Sequence, residues 1–250
     1  MATTPPPGQP PASSNLAPAE AGRYHAPPPL PGLTVQRLLG RVRKPGRYSG
    51  GEWNSVRKDW SETALKWCFT YPDLYEIGMS NLGLRILYEV LNDRPEWLAE
   101  RCFAPDVDLQ AELRAAKVPL WSLETRHSLR DFDVVGLSLG YELVATNVLD
   151  MLELAGIGLT TGDRSGADPL VIAGGSIVLN PEPFADFTDA VVLGEGEDAV
   201  LEISEVLHSI GWHRRVPAPG GEWRRGVDRA TALRALARIA GVYVPSLYRP

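Results

Sequence analysis

Apolar and polar positions fall into alternating blocks from residue 63 onward. ALKWCFTY (64–71) reads as a strand, followed by a polar loop and the amphipathic helix LGLRILYEVLND. ERCFAP (100–105) reads as a second strand and DLQAELRAA (108–116) as a helix, with PLWSLET (119–125) as a short extra strand. DFDVVGLSLG (131–140) is a continuous apolar run ending in small residues, the pattern of a strand covered on both faces. ELVATNVLDMLELAG forms a helix closed by Gly156. PLVIAGG (169–175) and DAVVLGEGE (189–197) add two strands, and DAVLEISEVLHSIG adds a helix closed by Gly211. Strands alternating with helices predict a parallel sheet with helices on both faces. The chain is too short for an eightfold barrel. The expectation is an open, doubly wound α/β sheet of Rossmann-like or flavodoxin-like type, strand order 2-1-3-4-5. Its strands should lie near 65–71, 99–104, 132–138, 170–174 and 189–194.

The ends break this rhythm. Ten of the 22 prolines fall within residues 1–33, which carry few large apolar side chains. Such a segment buries too little surface to offset its ordering entropy, so a disordered tail is expected. Its PPPLP run (27–31) reads as a solvated extension before it reads as a polyproline ligand. Residues 34–62 form a basic and aromatic arm. Over 34–60, Arg37, Arg41, Arg43, Lys44, Arg47, Arg57 and Lys58 meet only Glu52 and Asp59, with Tyr48, Trp53 and Trp60 between them. That mixture suits RNA contact. The favoured reading is an arm whose aromatics pack on the main domain, 63–213, while its charges stay solvated. Residues 214–250 read as a linker, then a helix and an extended segment with no evident sheet to join, as at the start of a further domain.

Composition narrows the classes. The 25 basic and 31 acidic residues leave a net charge of −6, which argues against a general nucleic-acid binder. No apolar run reaches membrane-spanning length and the N-terminus has no signal-peptide pattern, so a cytoplasmic protein with no membrane partner is expected. Two cysteines, Cys68 and Cys102, cannot staple a disulfide fold or hold an iron–sulfur cluster, and both read as core.

Open parallel sheets bind ligands beyond the carboxyl ends of their strands. Those ends carry Asp73, Tyr75 and Gly78, then Ser138, Gly140 and Glu142, then Gly174, Gly175 and Ser176, then Gly194, Glu195, Gly196 and Glu197. Four successive turns of small and polar residues favour a ligand rim over turn geometry alone. Gly194 to Ala199 matches G-x-G-x-x-A, but Glu195, Glu197 and Asp198 put carboxylates where a pyrophosphate needs a positive helix end, so a dinucleotide is rejected. Of His25, His127, His208 and His213, only His127 is a candidate to face this rim. No G-x-S-x-G elbow, no P-loop and no histidine at metal-ligand spacing is present.

The loop Asp73-x-Tyr75-x-x-Gly78, then Ser138, then Gly174-Gly175, resembles the cobalamin-binding module with its D-x-H-x-x-G, S-x-L and G-G motifs. Tyr75 stands where that family has its cobalt-ligating histidine, and Gly140 departs from the S-x-L pattern. The stretches 44–56, 71–88, 136–143 and 173–187 are similar to the N-terminal part of cobalamin-binding radical S-adenosylmethionine proteins, many of which lack that histidine and share the G-E-G-E turn. The resemblance spans roughly residues 37–250. It implies cobalamin at the rim, without an axial histidine. It also implies a 4Fe-4S cluster and S-adenosylmethionine held by a catalytic domain that carries C-x-x-x-C-x-x-C and follows this region. These 250 residues lack that motif and are not expected to do radical chemistry alone. The whole protein would modify RNA or a small molecule or transfer a group. The alternative is a Rossmann-like docking module that has lost the cofactor.

Overall fold

The computed structural model describes residues 27–218 and 223–248. Its strands are β1 (Leu65–Tyr71), β2 (Trp97–Phe103), β3 (Val134–Ser138), β4 (Leu170–Gly174), β5 (Ala190–Val192), β6 (Arg215–Pro217), β7 (Trp223–Arg225) and β8 (Val242–Tyr243). Its α-helices are α1 (Gly32–Leu39), α2 (Tyr75–Gly78), α3 (Leu82–Asn92), α4 (Val107–Ala116), α5 (Ala145–Leu154), α6 (Gly196–Ser209) and α7 (Arg229–Leu236). The main sheet runs β2-β1-β3-β4-β5-β8 and is parallel from β2 to β5, giving the expected order and an α/β fold.

Alternation along the strands feeds two cores. Cys68, Val135, Leu137, Val171 and Ala173 face α1, α4 and α5. Trp67, Phe69, Val134, Leu170 and Ile172 face α3, α6 and α7. Both cysteines are buried, and burial pushes both thiols up. Helix starts follow local chemistry: Asn81 Oδ1 accepts from Leu84 N–H at 2.8 Å, and Asp228 caps α7 through Thr231 N–H at 2.7 Å.

The C-terminal part corrects the sequence reading. Val242–Tyr243 pairs antiparallel with β5, so the extended segment does join the sheet. The stretch read as a linker forms the β6–β7 hairpin. Arg225 at its end is buried against Asp133. Residues 119–125 make no strand, only an isolated bridge between Trp121 and Ser128. Part of this segment instead covers the β2 edge, where Leu123 N–H donates to Arg101 O at 2.7 Å and Arg101 N–H to Glu124 at 2.8 Å.

At the N-terminal side, the disordered tail falls largely on residues 1–26, outside the described residues. Helix α1 already begins at Gly32, and Leu30 N–H donates to Arg126 O at 2.9 Å. Tyr48 is buried, and Trp60 stacks on His127 at 3.6 Å. Two features of the arm differ from expectation. Trp53 is fully exposed, and not every charge is solvated. Arg47 is buried between Glu76 and Asp106, at 2.9 and 2.8 Å, and Lys58 Nζ donates to the carbonyls of Asn92, Arg94 and Trp97.

The amino end of the sheet is bolted by charge. Asp133 accepts from Lys66 N–H at 2.8 Å and pairs with Arg225, while Asp189 accepts from Val171 N–H and pairs with Arg164 and Arg229. Trp212 Nε1 donates to Asp133 O at 3.0 Å beneath the Arg225 and Arg229 guanidiniums. His127 lies at this end rather than at the rim, because its partner Trp60 precedes β1. No helix among the described residues is long and apolar enough to cross a membrane.

Candidate functional site

The carboxyl end of the sheet is open. Between β1, β3, β4 and β5 on one side and α3 and α6 on the other lies a cavity of about 240 Å³. Its floor is Trp67, Phe69, Gly136 and Ile172, and its helical wall is Leu87, Val200 and Ile203. Ser138, Gly174, Gly175, Gly194, Glu195, Gly196 and Glu197 complete it toward the strand ends. Seven of the thirteen residues singled out from sequence therefore share one space.

The local backbone explains the mouth. Glu195 precedes the first residue of α6, and Glu197 and Asp198 lie in its first turn, where the free N–H groups and the helix dipole favour carboxylates. Gly194 takes φ 123°, and a side chain there would meet nothing within 4 Å. A Cβ on Gly174 would have only Val192 nearby, at 3.9 Å. Gly175 differs: at φ 117° a Cβ would come within 2.4 Å of Leu139 O, so this glycine serves the chain path. Gly136 serves the floor, because a Cβ there would press on the rings of Phe69 and Trp67.

The other six predicted residues lie at the same end but outside the cavity lining. Tyr75 turns to Glu52, its hydroxyl donating at 3.1 Å, and packs edge-on against Phe103. Burial and the Glu52 carboxylate push its phenol up, so it stays neutral. Gly78 is a packing glycine, since a Cβ would strike Phe103. Asp73 accepts from Tyr141, Asn147 donates to Pro72 O at 2.9 Å, and Ser176 donates to Gly140 O at 2.8 Å. These bonds tie the three turns into one rim, with Glu142 opening the short helical turn after β3. Ile77, Leu82, Leu143 and Leu179 stand exposed around it.

The residues missed from sequence are those of the floor and helical wall. Their signal was present as a glycine inside a buried strand, Gly136, beside Trp67 and Phe69 on one face of the neighbouring strand.

The lining suits one flat, apolar ring. Its volume lies below the roughly 300–1,000 Å³ of a pocket that encloses a whole ligand, so a large cofactor would insert only an arm. For cobalamin, the residues fit the ring-bearing tail: an apolar floor, glycine walls without Cβ atoms, and Ser138 Oγ, which has no partner among the described residues. They do not fit an axial bond, because Tyr75 is turned to Glu52 and His127, His208 and His213 do not line the cavity. An iron–sulfur cluster does not fit either: Cys68 and Cys102 are buried on neighbouring strands, two thiols where three are needed. No cluster of three or more metal-ligating side chains occurs among the described residues.

A parallel sheet of this topology with an open cleft at its carboxyl end defines an α/β domain. The family model described as "Radical SAM proteins, N-terminal" matches residues 83–245, more than half of the chain, and the chain belongs to that family. No curated protein and no solved structure matches it.

Proposed function

We propose that this chain is the cobalamin-holding N-terminal module of a radical S-adenosylmethionine protein. The turns Asp73–Gly78, Ser138–Glu142, Gly174–Ser176 and Gly194–Glu197 would hold the corrin ring at the strand ends. Ser138 and Gly174 would admit the tail to the cleft, with the Ser138 hydroxyl available to a ring nitrogen. Glu195 and Glu197 would accept from the amides at the ring's edge. The observation that carries this reading is the open, glycine-walled apolar cleft between the sheet and helices α3 and α6. Bound cobalamin supplies cobalt chemistry to a catalytic domain in the same protein, which carries the 4Fe-4S cluster and S-adenosylmethionine and acts on RNA or a small molecule. A cytoplasmic setting follows from such an enzyme.

The test is an absorption titration with hydroxocobalamin. A base seated in the cleft would be off the cobalt, and no histidine lines the cavity to replace it. The bound spectrum should therefore be that of a corrinoid with its base detached and no nitrogen in its place. A spectrum with nitrogen on cobalt overturns the tail placement. The exposed Leu82, Leu143 and Leu179 favour the second reading, a docking module without cofactor, and that reading takes over if no corrinoid binds.

A further inference from the structure

We propose that the cleft selects its ring by polarity, taking a benzimidazole-type base and rejecting a purine. The proposal rests on the corrinoid reading above and goes past it, because holding a tail does not dictate which base the tail carries. The glycosidic end of a base faces the mouth, so its six-membered ring goes deepest. At that depth the polar atoms are already engaged. Trp67 Nε1 donates to Ser204 Oγ at 3.0 Å, and Ser204 donates in turn to Val200 O at 2.7 Å. Gly136 O accepts from Thr70 Oγ1 at 3.1 Å. The remaining deep surface is the rings of Trp67 and Phe69 and the aliphatic groups of Ile172, Val200 and Ile203.

A dimethylbenzimidazole presents only carbon to that floor. Its one acceptor nitrogen sits on the five-membered ring, toward Ser138. Adenine would bury an exocyclic amine and pyrimidine nitrogens against side chains that offer neither acceptor nor donor. Each polar group stranded in this way weakens binding by about tenfold or more. Ser138 Oγ can serve one nitrogen at the mouth and cannot reach past the floor to serve the others as well.

Three probes test this on the whole chain by absorbance titration: cobalamin, the analogue carrying adenine in place of dimethylbenzimidazole, and cobinamide, which has no base. The expected order has the adenine analogue at least about tenfold weaker than cobalamin. If the adenine analogue binds within about threefold of cobalamin, and both bind above cobinamide, the selectivity is overturned while the corrinoid reading stands. If cobinamide matches cobalamin, the base does not enter the cleft and the proposal falls with the tail placement. If none of the three binds, the corrinoid reading itself fails and takes the proposal with it. Val200→Thr adds a hydroxyl to the deep wall and should narrow the ratio between the two affinities. That ratio is read within one sample, so partial loss of folded protein does not change it. An unchanged ratio in this variant counts against the deep placement of the base.

Discussion

Replacing Gly174 by leucine should close the cleft without unfolding the protein. A Cβ at this position has only Val192 nearby, at 3.9 Å, and the backbone lies outside the left-handed region, so the new side chain can enter the cavity. Burying a leucine there contributes about 1.5–3 kcal/mol, and crowding the floor costs about 1–3 kcal/mol, so the two nearly cancel. At about 2–4 °C per kcal/mol for a chain of this size, Tm should stay within a few degrees. Binding should weaken sharply. An aromatic ring buries on the order of 150–250 Å², a gross contribution of about 4–6 kcal/mol at 25 cal/mol per Å². If half of that survives the cost of immobilisation, its loss weakens hydroxocobalamin by about 30-fold to 150-fold. The neighbouring position is the control. At Gly175 an alanine Cβ would come within 2.4 Å of Leu139 O at φ 117°, and the strain of about 1–3 kcal/mol together with the clash should lower Tm by several degrees. Thermal melts and absorption titrations of both variants decide the matter. Unchanged corrinoid affinity in Gly174→Leu, or a melt as damaged as that of Gly175→Ala, would refute the reasoning.

Tyr75→Phe removes one hydrogen bond to Glu52 and should cost about 1 kcal/mol or less in stability and leave the corrinoid spectrum unchanged; a spectrum that shifts with this substitution would make Tyr75 a cobalt ligand after all. Asp133→Asn removes the buried carboxylate that pairs with Arg225 and should cost about 3–5 kcal/mol in urea unfolding; the bolt is misread if the midpoint does not move. His127 is held down to about 4, by burial first and then by Lys66, so its stabilising contribution is present above its ordinary value of 6.5 and is lost as pH falls toward 4. Burial drives Asp131 and Glu124 the other way, so the effect is read as the difference between the chain and His127→Gln: the variant should lose less stability between pH 6.5 and 4, and parallel curves would contradict the burial argument. Reconstitution with iron and sulfide should yield no four-iron cluster on these 250 residues, because Cys68 and Cys102 are two buried thiols; a cluster signal by electron paramagnetic resonance would overturn the ligand count.

The parallel sheet was legible because its strands are apolar runs that end in small residues, and each run is long enough to outweigh local noise. β8 was not, since two residues carry no period and their place depends on pairing with β5. The β6–β7 hairpin was hidden by the Pro- and Gly-rich stretch between its strands; what orders it is Arg225 reaching Asp133, a contact between residues 92 positions apart. At the site, the mouth was legible and the floor was not. Sequence reading looks at loops for chemistry, whereas Trp67, Phe69, Gly136 and Ile172 sit inside strands and resemble ordinary core until the gap above them is seen. Gly78 and Gly175 carry a second demand that the sequence does not display: the atoms that would meet a side chain there are Phe103 and Leu139 of the protein itself.

The division between the two ends of the sheet gives these particulars a common cause. The paired aspartates and arginines sit at the amino end, where Asp133 and Asp189 each also hold a backbone N–H of a neighbouring strand. With the strands fixed there, the carboxyl ends can carry glycine and serine and leave a cavity unfilled. The acidic turn Glu195–Asp198 fits the same scheme. Its carboxylates lie at the start of α6, where the helix dipole favours them, and set a negative mouth over an apolar floor. A nucleotide whose phosphates seek a helix start would be repelled there. A ligand that brings amide donors to the rim and an apolar ring to the depth meets both surfaces with their complements. The charge pattern that removed a dinucleotide on sequence grounds thus becomes, in the folded chain, an argument for a ligand with amides on its edge.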